Sequence, residues 1–337
     1  SPRLQLLPRE SIMRFHKIVL TGLTALAGLG MASQAMADGR APGSLLLYPE
    51  FDNRAGVVTV LTITNTAVNV GDVDVEFVYI GAQGDSVDDP EAFCEEFNRT
   101  VTMTDNDTLT LVTNVHNPQH EQGYVYAFAR DGVNSPIDHD YLIGNVMTVD
   151  GIEAFEYSVN PVSYQGIAPG SGDNGVRDLD DAEYEASPGE LLVPRFLGQG
   201  GIYNSELILI GMVGSKFDIT VDFLIYNDNE EEFSSEHTFY CWQRINLLDI
   251  SGIFDNDFLK DFTNHDPDEI IGARQVETGW FRMWGASASS TLVTLPDPAV
   301  YAVLVERIAN RGVADLPFEA GTNVNGKLLP RDLLGQD

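Results

Sequence analysis

Apolar and polar residues alternate along several short segments of this chain, and clusters of Gly, Asn and Asp separate these segments. Side chains that alternate with a period of two point to opposite faces of a strand, so the pattern predicts half-buried β-strands. The segments are rich in Val, Ile, Thr and aromatic residues, which favour extended backbone. Beyond the N-terminal segment no long helical periodicity occurs, and the chain is therefore predicted to be all-β. The predicted strands include residues 57–64, 72–80, 108–112, 124–129, 141–149, 218–226 and 301–309.

Several landmarks of the chain occur twice and in the same order. One example is Leu-Leu-x-Pro-x-Phe, and another is Asp-Asn-Asp. The spacing between the two copies grows slowly along the chain, as loop insertions would produce. A long internal repeat indicates one folding unit that was duplicated and fused. The paired segments are 46–51 with 191–196, 75–77 with 221–223, 93–94 with 240–241, 105–107 with 255–257, and 123–126 with 279–282.

The repeat and the short alternating strands together predict the domain organisation. Several antiparallel strands in each copy favour a β-sandwich, either immunoglobulin-like or jelly-roll-like. We therefore predict two tandem, internally duplicated β-sandwich domains, 38–165 and 190–337. Residues 166–189 contain several Gly, Pro and acidic residues, and are predicted to be an acidic linker.

The N-terminal segment has the pattern of a signal peptide. A short basic stretch at 13–17 precedes an apolar run at 18–32, and Ala35 and Ala37 supply the small residues of a cleavage site. A transmembrane anchor is the alternative, but it needs about 20 apolar residues, and this run is shorter and interrupted by glycine. We predict a signal peptide at 13–37 after an upstream extension at 1–12. The mature chain is then extracellular or on the cell surface, with the periplasm as the alternative, and has no membrane span.

The chain is strongly acidic, with 51 Asp and Glu against 19 Lys and Arg, a net charge of −32. Such a chain repels nucleic acid, attracts divalent cations and suits a saline environment. We therefore expect no nucleic-acid partner. No cofactor is required by any motif, and Ca²⁺ is the candidate ion.

Two sets of acidic residues are candidates for binding that ion. With Gly175 at the turn of a calcium loop, Asn174, Asp178 and Asp181 fall at ligand positions. The alternative is an acidic, flexible linker. The second set comes from the two Asp-Asn-Asp copies, for which the alternative is that Asp and Asn form Asx turns with backbone N–H groups. This second set is Asp105, Asp107, Asp255 and Asp257.

The cysteines and tryptophans suggest two further features. Cys94 and Cys241 fall at aligned positions in the two copies, and an oxidising compartment favours a disulfide between them. Buried free thiols and an intermolecular bridge are the alternatives. Trp280 and Trp284 alternate along a predicted strand and could form a sugar-stacking platform, although such aromatic residues are more often half-buried core. We found no nucleophile elbow, phosphate-binding loop or dinucleotide-binding fingerprint.

The Leu-Leu-x-Pro-x-Phe strand, the following Thr64-Asn65-Thr66 and the Asp-Asn-Asp element resemble a loose group of exported bacterial proteins of unassigned role. The resemblance covers most of the mature chain and implies an exported β protein, with no activity to transfer.

We therefore expect an exported, non-enzymatic structural or interaction protein of the cell surface or extracellular matrix. Its expected partners are other copies of itself, other surface proteins, or glycans. A carbohydrate-binding pair of β-sandwiches is the alternative, and a hydrolase is the third hypothesis.

Overall fold

The computed structural model describes residues 41–84, 86–132, 135–167, 178–214, 216–262 and 276–328. These residues form antiparallel β-sheets with a few short helices, so the all-β prediction is confirmed. No helix in these ranges is long and apolar enough to cross a membrane. The predicted signal peptide and the preceding extension lie outside the described residues.

The N-terminal half of the described chain forms two sheets. Its strands are β1 (Leu45–Asp52), β2 (Val57–Asn65), β3 (Val73–Gln83), β4 (Phe93–Met103), β5 (Thr108–Val112), β6 (Gln122–Arg130), β7 (Leu142–Asp150), β8 (Phe155–Val159) and β9 (Val162–Tyr164), with helix α1 (Thr113–His116) after β5. Sheet I has the strand order β5-β2-β7-β8. Sheet II has the order β4-β3-β6-β1-β9.

The C-terminal half forms two larger sheets and one small one. Its strands are β10 (Asp178–Leu179), β11 (Glu190–Leu197), β12 (Glu206–Gly211), β13 (Asp218–Asn227), β14 (Glu232–Tyr240), β15 (Trp242–Asn246), β16 (Thr278–Ser289), β17 (Thr294–Pro296), β18 (Val300–Ile308), β19 (Arg311–Asp315), β20 (Phe318–Ala320) and β21 (Gly326–Lys327). Helices α2 (Leu247–Ile250) and α3 (Asn256–Phe262) follow β15. Sheet III has the order β15-β12-β18-β19, and sheet IV the order β14-β13-β16-β11-β20, with β17 paired to β16. Strand β10 pairs with β21.

The two halves share one strand order. Sheet III has the order of sheet I, and sheet IV has the order of sheet II, when strands β1 to β9 are matched in sequence with strands β11 to β20 and β17 is left without a counterpart. The register also agrees, because a bulge follows Tyr48 in β1 and Val193 in β11. Residues at the same register position of matched strands are called corresponding residues below.

A glycine is needed at the same place in both halves. A Cβ atom on Gly123 of β6 would clash with the carbonyl oxygen of Ile80, and one on Gly279 of β16 would clash with that of Tyr226. Each glycine faces the bulged strand just beyond its proline. This steric requirement explains why both of the paired aromatic segments, 123–126 and 279–282, begin with a glycine.

Burial along the strands shows how the sheets are layered. Strands β1, β6 and β18 are buried along nearly their whole length, whereas β2 and β13 alternate between buried and accessible residues. A strand buried continuously is covered on both faces, and an alternating one is covered on one face. Sheet II contacts sheet III through β1 with β12 and through β3 and β6 with β15. Sheet II is therefore covered by sheet I on one face and by sheet III on the other, and the edge strands β8 of sheet I and β19 of sheet III also contact each other.

Two of the sequence alignments between the copies are wrong. Cys94 lies near the start of β4, whereas Cys241 follows the end of β14. Asp105 lies in the turn between β4 and β5, whereas Asp255 begins helix α3 after β15. Both acidic elements recur because Asp and Asn suit tight turns and helix starts, so similar local chemistry produced the match.

The described part of the predicted linker is packed against the sheets. Leu179 and Tyr184 are almost fully buried, and the Lys327 ammonium donates to the Asp178 carboxylate at 2.9 Å. The Glu185 N–H donates to the Gln165 carbonyl at 3.1 Å. Residues 178–189 are thus an ordered connection, and residues 168–177 lie outside the described residues.

Candidate interaction surfaces

The centre of the molecule is the interface between sheets II and III. Tyr48 donates its hydroxyl to the Thr62 carbonyl in sheet I at 3.0 Å, so it faces sheet I. Neighbouring residues on a strand face opposite sides of the sheet. The β6 residue that pairs with Tyr48 faces sheet I as Tyr48 does, so the residues on either side of it face sheet III. The aromatic residues that face sheet III are therefore Tyr124, Tyr126 and Phe128, and all are at most 1% exposed.

A buried ion cluster lies in this interface. The Arg244 guanidinium of sheet III binds the Glu50 carboxylate at 2.8 Å and the Glu206 carboxylate at 2.6 Å. Tyr157 donates its hydroxyl to Glu50. Burial by itself would lower the pKa of Arg244, but the two carboxylates outweigh it and hold that pKa above its ordinary value. Burial, and next the Glu50 carboxylate, raise the pKa of Tyr157 well above its ordinary value.

A cleft of about 540 Å³ opens beside this cluster. Arg54 forms an ion pair with Asp52 at 2.6 Å, and Arg307 forms one with Glu153 at 2.8 Å while lying over the Phe155 ring. The residues that line this cleft include no Ser, Cys or His. Its arginines are engaged by carboxylates, and two of these ion pairs, Arg244–Glu50 and Arg307–Glu153, join the two halves.

The two halves are also joined covalently. Cys94 and Cys241 form a disulfide with their Cα atoms 6.0 Å apart, which is the first of the alternatives that the sequence left open. The expected basis, two cysteines at aligned positions in the two copies, does not hold. Nearby, the Asp218 carboxylate accepts hydrogen bonds from the Ser86 hydroxyl at 2.9 Å and the Val87 N–H at 2.6 Å.

The outer face of sheet I carries no Asp, Glu, Lys or Arg on the described strands β5, β2 and β7. Its threonines pair across strands, with 3.2 Å between the Thr62 and Thr110 hydroxyl oxygens and 2.9 Å between those of Thr64 and Thr108. Its apolar side chains remain accessible to solvent. They are Val58, Val60, Val112, Ile143, Met147 and Val149.

The outer face of sheet IV carries the two predicted ligand-binding tryptophans. Trp280 is 36% exposed and stacks on Tyr226, with ring centroids 4.6 Å apart. Trp284 is partly buried on the same face of β16. Arg282 lies between them, and its Nη2 donates to the Glu190 carboxylate at 2.6 Å. The structure therefore brings the two tryptophans together on one open face.

The two open faces correspond to the two faces buried at the centre. Trp280, Arg282 and Trp284 of sheet IV correspond to Tyr124, Tyr126 and Phe128 of sheet II. In the same way, the uncharged face of sheet I corresponds to the face of sheet III that packs on sheet II. The corresponding pairs there include Thr62 with Ile208, Thr108 with Trp242, Thr110 with Arg244, and Met147 with Val305.

The predicted metal ligands are separated or engaged with protein groups. Asn174 lies outside the described residues. Asp178 is buried against Lys327, and Asp181 accepts a hydrogen bond from the Ala186 N–H at 2.9 Å. Within the described ranges, no group of three or more His, Cys, Asp or Glu side chains is placed to hold a metal ion.

Two carboxylates of the second set of candidate ligands accept hydrogen bonds from backbone N–H groups. The Asp105 carboxylate accepts from the N–H groups of Val70 and Gly71, at 3.1 and 3.2 Å. The Asp255 carboxylate accepts from Asp257 and Phe258 at the start of α3, at 2.7 and 3.2 Å. Both contacts are those that the alternative interpretation expected.

The first turn of helix α3 and the β4–β5 turn hold the remaining candidates. Asp257 forms a long ion pair with Lys260, at 3.7 Å, and its side chain is 87% exposed. Asp107 belongs to the β4–β5 turn, where its N–H donates to the Thr104 carbonyl and its carbonyl accepts from the Asn65 N–H.

The sequence reasoning missed both the ion cluster and the uncharged face. Glu50 interrupts an apolar strand, which is the pattern of a charge that needs a buried partner, whereas Arg244 lies in the mixed polar and apolar strand β15 and gives no such signal. The uncharged face could have been recognised from the accessible positions of strands β2, β5 and β7, which are Val, Ile, Met, Thr and Asn in an otherwise acidic chain. Comparisons with protein-family models, curated proteins and solved structures gave no match.

Proposed function

We propose that this chain is an exported, non-enzymatic structural protein of the cell surface or extracellular matrix, and that it acts by binding other copies of itself. In this proposal the chain is a duplicated β-sandwich, with sheets I and II forming one sandwich and sheets III and IV the other. The shared strand order supports the duplication. The disulfide supports an oxidising compartment, since such bonds are rare in the cytosol.

The observation that carries the proposal is the outer face of strands β5, β2 and β7 of sheet I, which has no charged side chain and is bordered on the edge strand β8 by Glu156. The whole chain has a net charge of −32, so a solvent-exposed face of this size without Asp or Glu on three neighbouring described strands is unusual. Depletion of charged residues distinguishes the buried core of protein interfaces from other surfaces. Apolar side chains such as Ile143 and Met147, each 40% exposed, gain free energy when a partner covers them.

A charge placed in the centre of the face tests this function. We expect Met147→Glu to abolish concentration-dependent association in sedimentation velocity, because a carboxylate would lose its water in the contact. Ile202→Glu is the matched control, since Ile202 is 55% exposed in the β11–β12 loop and outside sheet I. Loss of association in the control as well, or no association in the unaltered protein, would contradict the proposal.

Glycan binding is the second candidate function, favoured by the placement of Trp280 and Trp284 on one accessible face. Aromatic rings of this kind stack on the apolar faces of sugars. A glycan array with the Trp280→Ala, Trp284→Ala double variant tests this candidate. Binding that disappears in the variant supports a carbohydrate partner, while no glycan binding by the unaltered protein rejects it.

A further inference from the structure

We infer that copies of this chain associate head to tail, with sheet IV of one molecule covering sheet I of the next. This inference rests on the proposed function and specifies its partner surface. The contact would repeat between molecules the packing that sheets II and III form within one molecule. It follows from three relationships among the faces.

The first relationship is that the internal interface joins two different faces. Sheet II contributes one face to it, and sheet III contributes a face of the other type, because sheet III matches sheet I in strand order. Pairing of unlike faces is a heterologous contact. Such a contact can be repeated indefinitely and makes an open chain of subunits unless the rotation closes it into a ring.

The second relationship is that each molecule has one unused face of each type. Sheet IV matches sheet II, and its outer residues Trp280 and Leu224 correspond to Tyr124 and Val78 of the buried face. Leu192 of β11 corresponds in the same way to Leu47 of β1. An aromatic and aliphatic row is thus present on both faces, although only that of sheet II is covered within the molecule.

The third relationship concerns the receiving face. Thr62 of sheet I corresponds to Ile208 of sheet III, and Met147 corresponds to Val305. Ile208 and Val305 are fully buried in the interface, whereas Met147 is 40% exposed. The face of sheet I has Thr and apolar side chains where its counterpart on sheet III has apolar side chains and the Arg244 ion cluster, and it remains accessible to solvent.

The intermolecular contact would lack the clamps of the internal one. Thr110 of sheet I occupies the position that corresponds to Arg244 of sheet III. The ion pair of Arg244 with Glu50 therefore has no counterpart between molecules. The disulfide partners are both used inside the molecule. In addition, the contact would have to cover the Arg282–Glu190 ion pair of sheet IV and the carboxylates of Asp222, Glu232 and Glu236 on the same face. The intermolecular contact is therefore weaker and reversible, and the negative charge of each copy opposes it at low salt.

Contacts across the internal interface predict which residues meet between molecules. The Trp242 indole N–H donates to the Pro49 carbonyl at 2.8 Å. Thr108 corresponds to Trp242, and Pro194 corresponds to Pro49 next to the shared bulge. Head-to-tail stacking therefore places Thr108 of one molecule beside Pro194 of the next.

Mixed cross-linking of single-cysteine variants tests this arrangement. The variants are Thr108→Cys and Pro194→Cys, treated with a short bismaleimide reagent after each is shown to unfold at the wild-type temperature. The native disulfide does not react with maleimide. We expect dimers only when the two variants are mixed, and a ladder of longer products when both substitutions are in one chain. Ile202→Cys mixed with Thr108→Cys is the control, and should give no product.

The outcomes separate this inference from the proposed function. Cross-linking of either variant with itself would show a symmetric contact and overturn the inference. Association in sedimentation without any product in the mixture would also overturn it, while the proposed function would stand. Absence of association in sedimentation would contradict both the inference and the proposed function.

Discussion

Tyr126 and Arg282 occupy the same register position in the two halves, yet Tyr126 is fully buried and Arg282 is accessible. The tyrosine packs under sheet III, and the arginine binds Glu190 on the open face of sheet IV. Corresponding residues thus differ according to whether another sheet covers them. The accessible face of sheet IV has an ion pair at this position, where an exposed aromatic residue would promote association.

Exchanging these residues should strengthen self-association. The double variant Glu190→Leu, Arg282→Tyr gives sheet IV the residues Leu45 and Tyr126 of sheet II, and leaves no unpaired carboxylate. Covering the added apolar side chains should contribute about 2 kcal/mol, or roughly a thirtyfold lower Kd. Sedimentation velocity measures this change. An equal gain in Asp257→Leu, an apolar replacement on α3, would show that the effect is not specific to sheet IV.

The disulfide should stabilise the fold considerably, because Cys94 and Cys241 are 147 residues apart. Closing so long a loop restricts the unfolded chain, and we expect the Cys94→Ser, Cys241→Ser double variant to lose about 4 kcal/mol. Urea denaturation of both proteins measures the difference. Adding reductant should lower the stability of the unaltered protein by a similar amount and leave the variant unchanged. Equal stability of both proteins would contradict a role for the disulfide.

The buried ion cluster predicts strong coupling between Glu50 and Arg244. Arg244→Met leaves the Glu50 carboxylate buried without its cation, and should cost about 3–5 kcal/mol in urea denaturation. Adding Glu50→Gln should restore part of this loss, so the two substitutions are expected to be non-additive. Lys260→Met is the control, because it removes a long ion pair with an exposed carboxylate. Strict additivity would show that the two side chains do not stabilise each other.

Stability should fall as the pH drops below neutrality, partly through His139. Its Nε2 lies 3.1 Å from the Asn65 side-chain oxygen, and burial lowers its pKa although Asp140 and Asp105 oppose the shift. The unfolded chain therefore binds a proton near pH ~6.5 that the folded protein excludes, so the free energy of unfolding decreases as the pH falls through this window. Burial also lowers the pKa of His116 and His120, with the same sign.

A matched variant isolates the contribution of His139 to the pH dependence of the free energy of unfolding. His139→Gln keeps a donor for Asn65 and does not titrate, so it should lose less stability than the unaltered protein between pH 7.5 and 5.5. The contributions of His116 and His120 are common to both proteins and cancel in the comparison. Parallel losses in the two urea titrations would exclude His139 as a contributor.

The sequence predicted the strands and the disulfide better than it predicted how the halves pack. Residues 141–149 and 301–309 are predicted to be strands, because the first segment is rich in Ile, Val and Thr and the second is its counterpart in the repeat, and they form β7 and β18. The Asp-Asn-Asp copies misled the alignment, since turn chemistry recurs without common position. Nothing local in the sequence distinguishes Tyr124 from Trp280 as buried or accessible, because that depends on whether a distant sheet covers them.

The most direct test of the head-to-tail account is sedimentation velocity of the disulfide-bonded protein over a wide concentration range at high salt. Salt screens the repulsion between acidic copies, so association is easiest to observe there. The account predicts a mean sedimentation coefficient that keeps rising with concentration and exceeds that of a dimer. A coefficient that stays at the monomer value, or that levels off at a dimer, would contradict it.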